Sequence, residues 1–359
     1  MNRNLSDQLN ADSGTRVRIA ADIGGTFTDV MVLGQDGRLT TKKLLSTPGD
    51  YADGVVKGIL AALDETGIRP GDIAEVLHGC TIATNAILEG RGASTALVTT
   101  RGFRDVLEIK RTRIPELYAP LYVKPPPLAP RNLRFEITER LGPRGDVRIP
   151  LAEDEIPKII ERIADAKVEA VAVCFIHSYA NAEHEQTLGA ALRDALPEVF
   201  VTLSSDLLPE IREYERTSTT VINAYVGPPV RHYIGSLINN LKAVGIDAPL
   251  MVMQSGGGVL EAELVMEKPA LIVECGPAAG VVGGLHISRA QNEANLITFD
   301  MGGTTAKASI IENGRLMHTD EYEVGGGITL SSKLTKGGGY ALKTPVIDIS
   351  EVGAGGGSV

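Results

Sequence analysis

The sequence predicts an α/β protein of two lobes, and three observations predict it. Apolar strand-like runs and amphipathic helical stretches alternate along most of the chain, the order that builds layered α/β structure. The pattern Asp-apolar-Gly-Gly-Thr comes after a predicted strand near each end of the sequence, starting at Asp22 and again at Asp300. The chain has 359 residues, more than one ordinary core organises, so two or three lobes are expected.

Residues 1–15 are polar and read as a disordered leader. Val17 to Ile23, Thr28 to Leu33 and Leu39 to Leu45 are apolar runs, with a Gln35-Asp36-Gly37 turn before the last, so a three-strand antiparallel meander is expected. Asp50 to Thr66 has helical spacing, with Val55, Ile59, Leu60 and Leu63 on one face and Gly67 as the stop. Val76 to His78 reads as a brief strand, Thr84 to Leu88 as a short helix and Thr95 to Thr99 as a strand. Residues 111–150 carry eight prolines and predict an irregular excursion, either a binding loop or a stiff connection. Alternation then resumes with a helix at Glu153 to Ala166, a strand at Glu169 to Ile176, a helix at Glu183 to Ala195 and a strand at Phe200 to Leu203. Pro228 and Pro229 divide the next helical stretch in two, giving expected helices at Glu210 to Tyr225 and Pro229 to Val244. A strand at Leu250 to Met253, a helix opening at Gly276 and strands at Leu296 to Phe299, Lys307 to Ile311 and near Leu316 to Val324 complete the order. The expected division is a first domain over 16–205 and a second, incomplete one over 206–359.

The net charge of −10 argues against nucleic acid as the main partner, because phosphate backbones need basic patches. A nucleotide is not excluded, since a few backbone amides and one magnesium ion suffice to hold it. Cys80, Cys174 and Cys275 are too scattered for a zinc site or a disulfide framework and read as reduced cytoplasmic thiols. The N-terminus lacks an apolar core of signal-peptide length, and no apolar run approaches a membrane span, so no membrane role is expected.

The two glycine turns carry the chemistry. Two glycines permit a tight turn and close approach of backbone to ligand. Successive amide N–H groups in such a turn form an anion nest, and the threonine hydroxyls add donors. The aspartate at the strand end can hold magnesium or orient a nucleophile. Gly24, Gly25, Thr26 and Thr28 in the first turn, with Gly302, Gly303, Thr304 and Thr305 in the second, are therefore the candidate phosphate residues. Asp22 and Asp300 are the candidate catalytic and magnesium residues. Neither turn is a Walker loop. Two such turns in two lobes, facing one ATP, resemble the actin, sugar kinase and heat-shock-protein ATPase superfamily, an actin-like (ribonuclease H-like) fold.

Further motifs narrow the resemblance. Asp22-Ile23-Gly24-Gly25-Thr26-Phe27-Thr28-Asp29, His78-Gly79-Cys80-Thr81-Ile82-Ala83-Thr84-Asn85-Ala86, Phe175-Ile176-His177-Ser178-Tyr179, Arg212-Glu213-Tyr214-Glu215-Arg216, Met253-Gln254-Ser255-Gly256-Gly257-Gly258 and Gly276-Pro277-Ala278-Ala279-Gly280 stand in the order of the hydantoinase/5-oxoprolinase/ketone carboxylase family. The chain resembles the N-terminal half of that family's ATP-using subunit. The resemblance implies a subunit that phosphorylates an oxygen of its substrate, a cyclic amide (hydantoin, 5-oxoproline or lactam) in one branch and a ketone enolate in the other. It also implies a second family subunit as partner. The family's subunit is nearly twice as long, so the second lobe is expected to be incomplete, with apolar edges for another chain to cover. A non-catalytic assembly subunit is the remaining reading.

Several side chains keep two roles open. Lys307, where many members have Asp, either touches a phosphate or points outward; Asp29 is its counterpart in the first turn. Cys80 reads as a small buried replacement. His78, with Thr81 and Asn85 nearby, is either a substrate ligand or a hydrogen-bonded core histidine. Arg212, Glu213, Glu215 and Arg216 are either paired charges on a solvated helix face or a substrate contact, with Arg212 the candidate. Gly276 opens a helix whose N-terminus is a natural phosphate site.

Overall fold

The computed structural model describes residues 17–24, 27–47, 50–111, 118, 121–302, 306–325, 338–352 and 355–356. The expected leader and the four turn residues Gly25, Thr26, Gly303 and Thr304, with Thr305, lie outside them.

The chain opens as the alternation dictates. Strands β1 (Val17–Ile23), β2 (Phe27–Leu33) and β3 (Leu39–Leu45) form the antiparallel meander. On β1 every second residue is buried, because Val17, Ile19, Ala21 and Ile23 face helix α1 (Tyr51–Thr66) and the core behind it. Asp50 caps α1 by accepting from the Asp53 N–H at 3.0 Å. Gly67 ends the helix at φ +69°, a left-handed conformation that glycine adopts without strain.

Strand β4 (Ile73–Cys80) then lies parallel to β1, and the strand Leu250–Met253 lies parallel to β4 on its far side. The first sheet therefore runs Val259–Glu261, Leu250–Met253, β4, β1, β2, β3. Residues beyond 206 thus enter the first sheet, across the expected division at 205.

The second sheet is parallel. Its order is Phe200–Leu203, Ala170–Cys174, β5 (Thr95–Thr100) and β6 (Arg134–Ile137). Strand Ala170–Cys174 is wholly buried, as expected of a parallel strand covered on both faces. Strand β6 falls inside the proline-rich stretch that the sequence reads as irregular. It forms because β5 offers it a parallel edge, a partner that lies over thirty residues upstream.

One 31-residue helix, Glu213–Ala243, replaces the two expected on either side of Pro228 and Pro229. Proline lacks the N–H that would bond four residues back, so Pro229 leaves the Tyr225 carbonyl without its helical donor. The Ala93 N–H supplies the missing bond at 2.8 Å. A tertiary contact thus makes good what the prolines remove.

A third sheet is built on the hairpin Leu296–Met301 and Ala306–Glu312, with Ile349–Val352 pairing along the second strand. The helix Cys275–Gln291 covers one face, where Ala278, Val281 and Leu285 meet Ile311, Ile347 and Ile349. On the other face Ile297, Phe299 and Met301 are exposed, at 70%, 68% and 55%. No helix among the described residues is long and apolar enough to cross a membrane.

Candidate functional site

Both aspartates occupy the same place in their hairpins, one residue before the strand end. Asp22 pairs across the strands with Asp29, and Asp300 pairs with Lys307. On its other side Asp22 lies beside Gly79 of β4. A Cβ on Gly79 would stand 2.7 Å from Asp22 Oδ1, so only glycine leaves the carboxylate its place.

The helix Cys275–Gln291 brings its N-terminus to the same point. Cys275 donates its thiol hydrogen to the Cys80 carbonyl at 2.8 Å, and the Glu274 N–H donates to Thr84 Oγ1 at 2.9 Å in helix α2 (Ile82–Leu88). These bonds fix the start of the helix against the end of β4. Gly276 then faces the aspartate: a Cβ there would lie 3.9 Å from Asp22 Oδ1 and 3.7 Å from Thr81 Cγ2. The first N–H groups of a helix lack intrahelical acceptors and favour anions.

Asp22 opens to solvent on one side and is packed by protein on the others. Burial raises its carboxyl above the usual range, His78 opposes this, and the like charges of Asp29 and Asp300 add to the rise. Asp300 is thus near enough to act on Asp22 from the opposite hairpin. Asp300 and Lys307 line a cleft of about 220 Å³ together with Pro277, Gly280 and Thr298. The Gly356 N–H donates to the Gly302 carbonyl at 3.0 Å, bringing the glycine-rich end of the chain onto the second turn.

Not every expected residue faces this cleft. Thr28 is buried, and its hydroxyl meets Ser46 Oγ at 3.1 Å while Ser46 donates to the Gly24 carbonyl at 2.8 Å. Thr28 therefore braces the first turn from behind and is not turned toward a phosphate. His78 is buried with both ring nitrogens engaged, Nδ1 with the Ala21 carbonyl at 2.9 Å and Nε2 with the Tyr233 hydroxyl at 2.8 Å. It takes the core role. Thr81 lies beside the helix start at Gly276, and Asn85 Nδ2 donates to Thr81 Oγ1 at 3.1 Å. Arg212 makes its contact elsewhere, an ion pair with Glu321 at 2.7 Å. Arg216 is not on a solvated face: it is fully buried, donating to Ser178, Ser204 and the Phe175 carbonyl.

Lys307 does not point outward. It donates to Glu274 Oε2 at 2.8 Å and lies 3.7 Å from Glu351. Glu274 itself is buried and holds φ +67°, unusual for a residue with a side chain. This tie between the second hairpin and the helix start joins residues 33 positions apart, and local sequence pattern carries no signal for it.

The residues fit magnesium and ATP in one testable respect. Two carboxylates of like charge, one of them raised in the fold, would be stabilised by a divalent cation. Among the described residues no three His, Cys, Asp or Glu side chains cluster as a metal site. Magnesium is usually held by one or two carboxylates, with phosphates and water supplying the rest. Asp22 and Asp300 are the carboxylates that could hold such an ion, and Gly276 stands at the helix end beside Asp22.

Similarity to known proteins extends over the whole chain. The caprolactamase subunit alpha of Pseudomonas jessenii is 33% identical over 357 residues, covering 97% of this chain and 49% of that subunit. The 5-oxoprolinase of Saccharomyces cerevisiae is 31% identical, covering 96% of this chain and 28% of the relative. The crystal structure of the ATP-dependent caprolactamase from P. jessenii matches with a TM-score of 0.83 at 32% identity, over 95% of this chain and 48% of that one. The chain thus spans about half the length of the caprolactamase subunit. Residues 18–196 match the hydantoinase/oxoprolinase N-terminal region and residues 216–359 match the hydantoinase/oxoprolinase region next to it, so the chain belongs to the hydantoinase/oxoprolinase family.

Proposed function

We propose that this chain is the ATP-using part of a cytoplasmic cyclic-amide hydrolase with an actin-like, two-lobed fold, and that it phosphorylates the amide oxygen of a hydantoin, 5-oxoproline or another lactam. The observation that carries the reading is that the start of the helix Cys275–Gln291 meets Asp22 at Gly276, while Pro277 and Gly280 of the same helix line the cleft of the equivalent Asp300. The relatives that act on cyclic amides support the same branch.

A neutral amide carbonyl is a poor electrophile. Transfer of a phosphoryl group from ATP to its oxygen, with ADP leaving, gives an imidate-type phosphate whose carbon water attacks. The ring C–N bond then breaks, the nitrogen takes a proton, and hydrolysis of the resulting acyl phosphate releases phosphate. Magnesium ATP, when bound, supplies the phosphoryl group. Asp22 and Asp300 would hold the metal, which would offset the charge of the phosphates, and their carboxylates would orient the attacking oxygen. Gly24 to Thr26, Gly302 to Thr305 and the helix start at Gly276 cradle phosphate oxygens. Thr81, beside Gly276, and its hydrogen-bond partner Asn85 would contact the substrate. The exposed apolar face of the third sheet receives a polypeptide equivalent to the remaining half of the longer relatives, and a second family subunit completes ring opening.

The test is phosphate release by the chain co-expressed with such a polypeptide and second subunit, across 5-oxoproline, hydantoin, caprolactam, and acetone with bicarbonate. Lactam-dependent release that drops at least about 100-fold in Asp22→Asn or Asp300→Asn is expected. Stimulation by acetone and bicarbonate alone would assign the chain to the carboxylase branch. No ATP binding by the assembled complex would leave an assembly role.

A further inference from the structure

A second cavity lies apart from the aspartate cleft, under the start of the long helix. Its walls are Lys110, Tyr214, Tyr322, Glu323, Ala341 and Leu342, with other charged side chains around them. The space open to water-sized molecules is about 30 Å³, enough for one or two waters or one small polar group.

Lys110 is the unusual member. Its ammonium is buried and makes no hydrogen bond, and the Tyr340 ring lies beneath it at 5.5 Å. The other cations on the walls have oxygen partners. Arg111 pairs with Glu215 and Glu213, Lys343 with Glu210, and Lys124 donates to the Ile109 carbonyl. Lys110 also holds φ +58°, a left-handed conformation costly for a residue with a side chain. Backbone strain and an unsatisfied charge meet at one residue that lines a cavity. Burial also pushes the ammonium below the usual lysine range, and the carboxylates of Glu323 and Glu108 oppose this only in part.

We propose that this cavity is a site for the carboxylate of a small monoanionic ligand, with Lys110 as its hydrogen-bond donor. A carboxylate matches the size of the space and supplies the missing acceptor oxygens. Asp320 and Glu323 on the walls disfavour a dianion such as phosphate. The cavity is joined to the aspartate cleft through one residue pair. Tyr322 on its wall stands beside the Glu274 carboxylate, and Glu274 holds Lys307 at the start of the helix that faces Asp22. If the chain acts on cyclic amides as proposed above, the ligand is a ring that carries a carboxylate.

Calorimetric titration of the full chain with 5-oxoproline, 2-pyrrolidinone, acetate and inorganic phosphate tests this. The first two share a ring and differ in the carboxylate. Binding of 5-oxoproline and of acetate is expected, with 2-pyrrolidinone about 10- to 100-fold weaker than 5-oxoproline. Lys110→Met should bring 5-oxoproline to the 2-pyrrolidinone level, and Lys110→Arg should keep part of the preference. A thermal melt of each variant reports folding. Equal affinity for the two rings, preference for phosphate, no binding of either carboxylate, or an unchanged preference in a folded Lys110→Met would overturn the proposal. Titration with magnesium ATP, whose response depends on Asp22 and not on Lys110, separates this failure from failure of the nucleotide reading.

Discussion

At the scale of single residues, Asp22 is set between a glycine and an acid by strand register alone. Gly79 has no room for a methyl group without moving the Asp22 carboxylate. Gly79→Ala is therefore expected to lower ATP turnover by about 100-fold, the effect of an ångström-scale displacement of a reacting group. Its unfolding midpoint in urea should change little, because the atom displaced is the end of a side chain. Asp22 also carries a pH signature. Its carboxyl is raised in the fold, so the folded state holds its proton more tightly than the unfolded chain does. Stability is then lost as pH rises from the unfolded value through the folded one, and the penalty is constant above. Asp22→Asn removes that penalty. In chelator-treated protein its melting temperature should exceed that of the wild type at neutral pH, with the gain vanishing below the ordinary carboxylate range. The places of Asp22, near a strand end, and of Gly276, at a helix start, were legible because each is written in neighbouring letters. The roles of Thr28 and His78 were not, because the partners that claim them, Ser46 and Tyr233, are distant in sequence.

At the scale of elements, the same contrast recurs. The meander, α1 and the strands Phe200–Leu203 and Leu250–Met253 arise from period and turn chemistry. Strand β6 and the unbroken helix Glu213–Ala243 do not, since each depends on a bond from elsewhere: an edge of β5 for one, the Ala93 N–H for the other. Arg216 is the clearest case. Spacing places it among surface charges, yet the helix buries it beside Glu185 and two serines, 3.9 Å from the carboxylate. Glu185 in turn accepts from the Phe175 N–H at 2.7 Å and from Ser204 at 2.6 Å. Removing the arginine strands a buried carboxylate. Arg216→Ala should cost about 3–5 kcal/mol in a denaturant titration.

At the scale of the whole molecule, the third sheet is covered on one side only. Ile297, Phe299 and Met301 alternate along its first strand with residues facing the helix Cys275–Gln291. An apolar sheet face of this kind promotes association in water. The chain alone should self-associate with rising concentration in analytical ultracentrifugation. The double variant Ile297→Lys, Phe299→Lys should reduce that association without lowering the melting temperature. If the double variant associates as the wild type does, the face is not the surface responsible. The sequence pattern suggested uncovered apolar edges from length alone; which face is bare required the helix to be placed.

The long helix has one more consequence. At 31 residues it extends about 46 Å, and its flanks touch α1, α2 and the strand Ala170–Cys174 alike. A beam buried against both of the larger sheets leaves them little freedom to swing apart. Any breathing that admits a nucleotide must then fall to the smaller hairpin layer, which leans on this frame through the helix Cys275–Gln291 and the Lys307 tie.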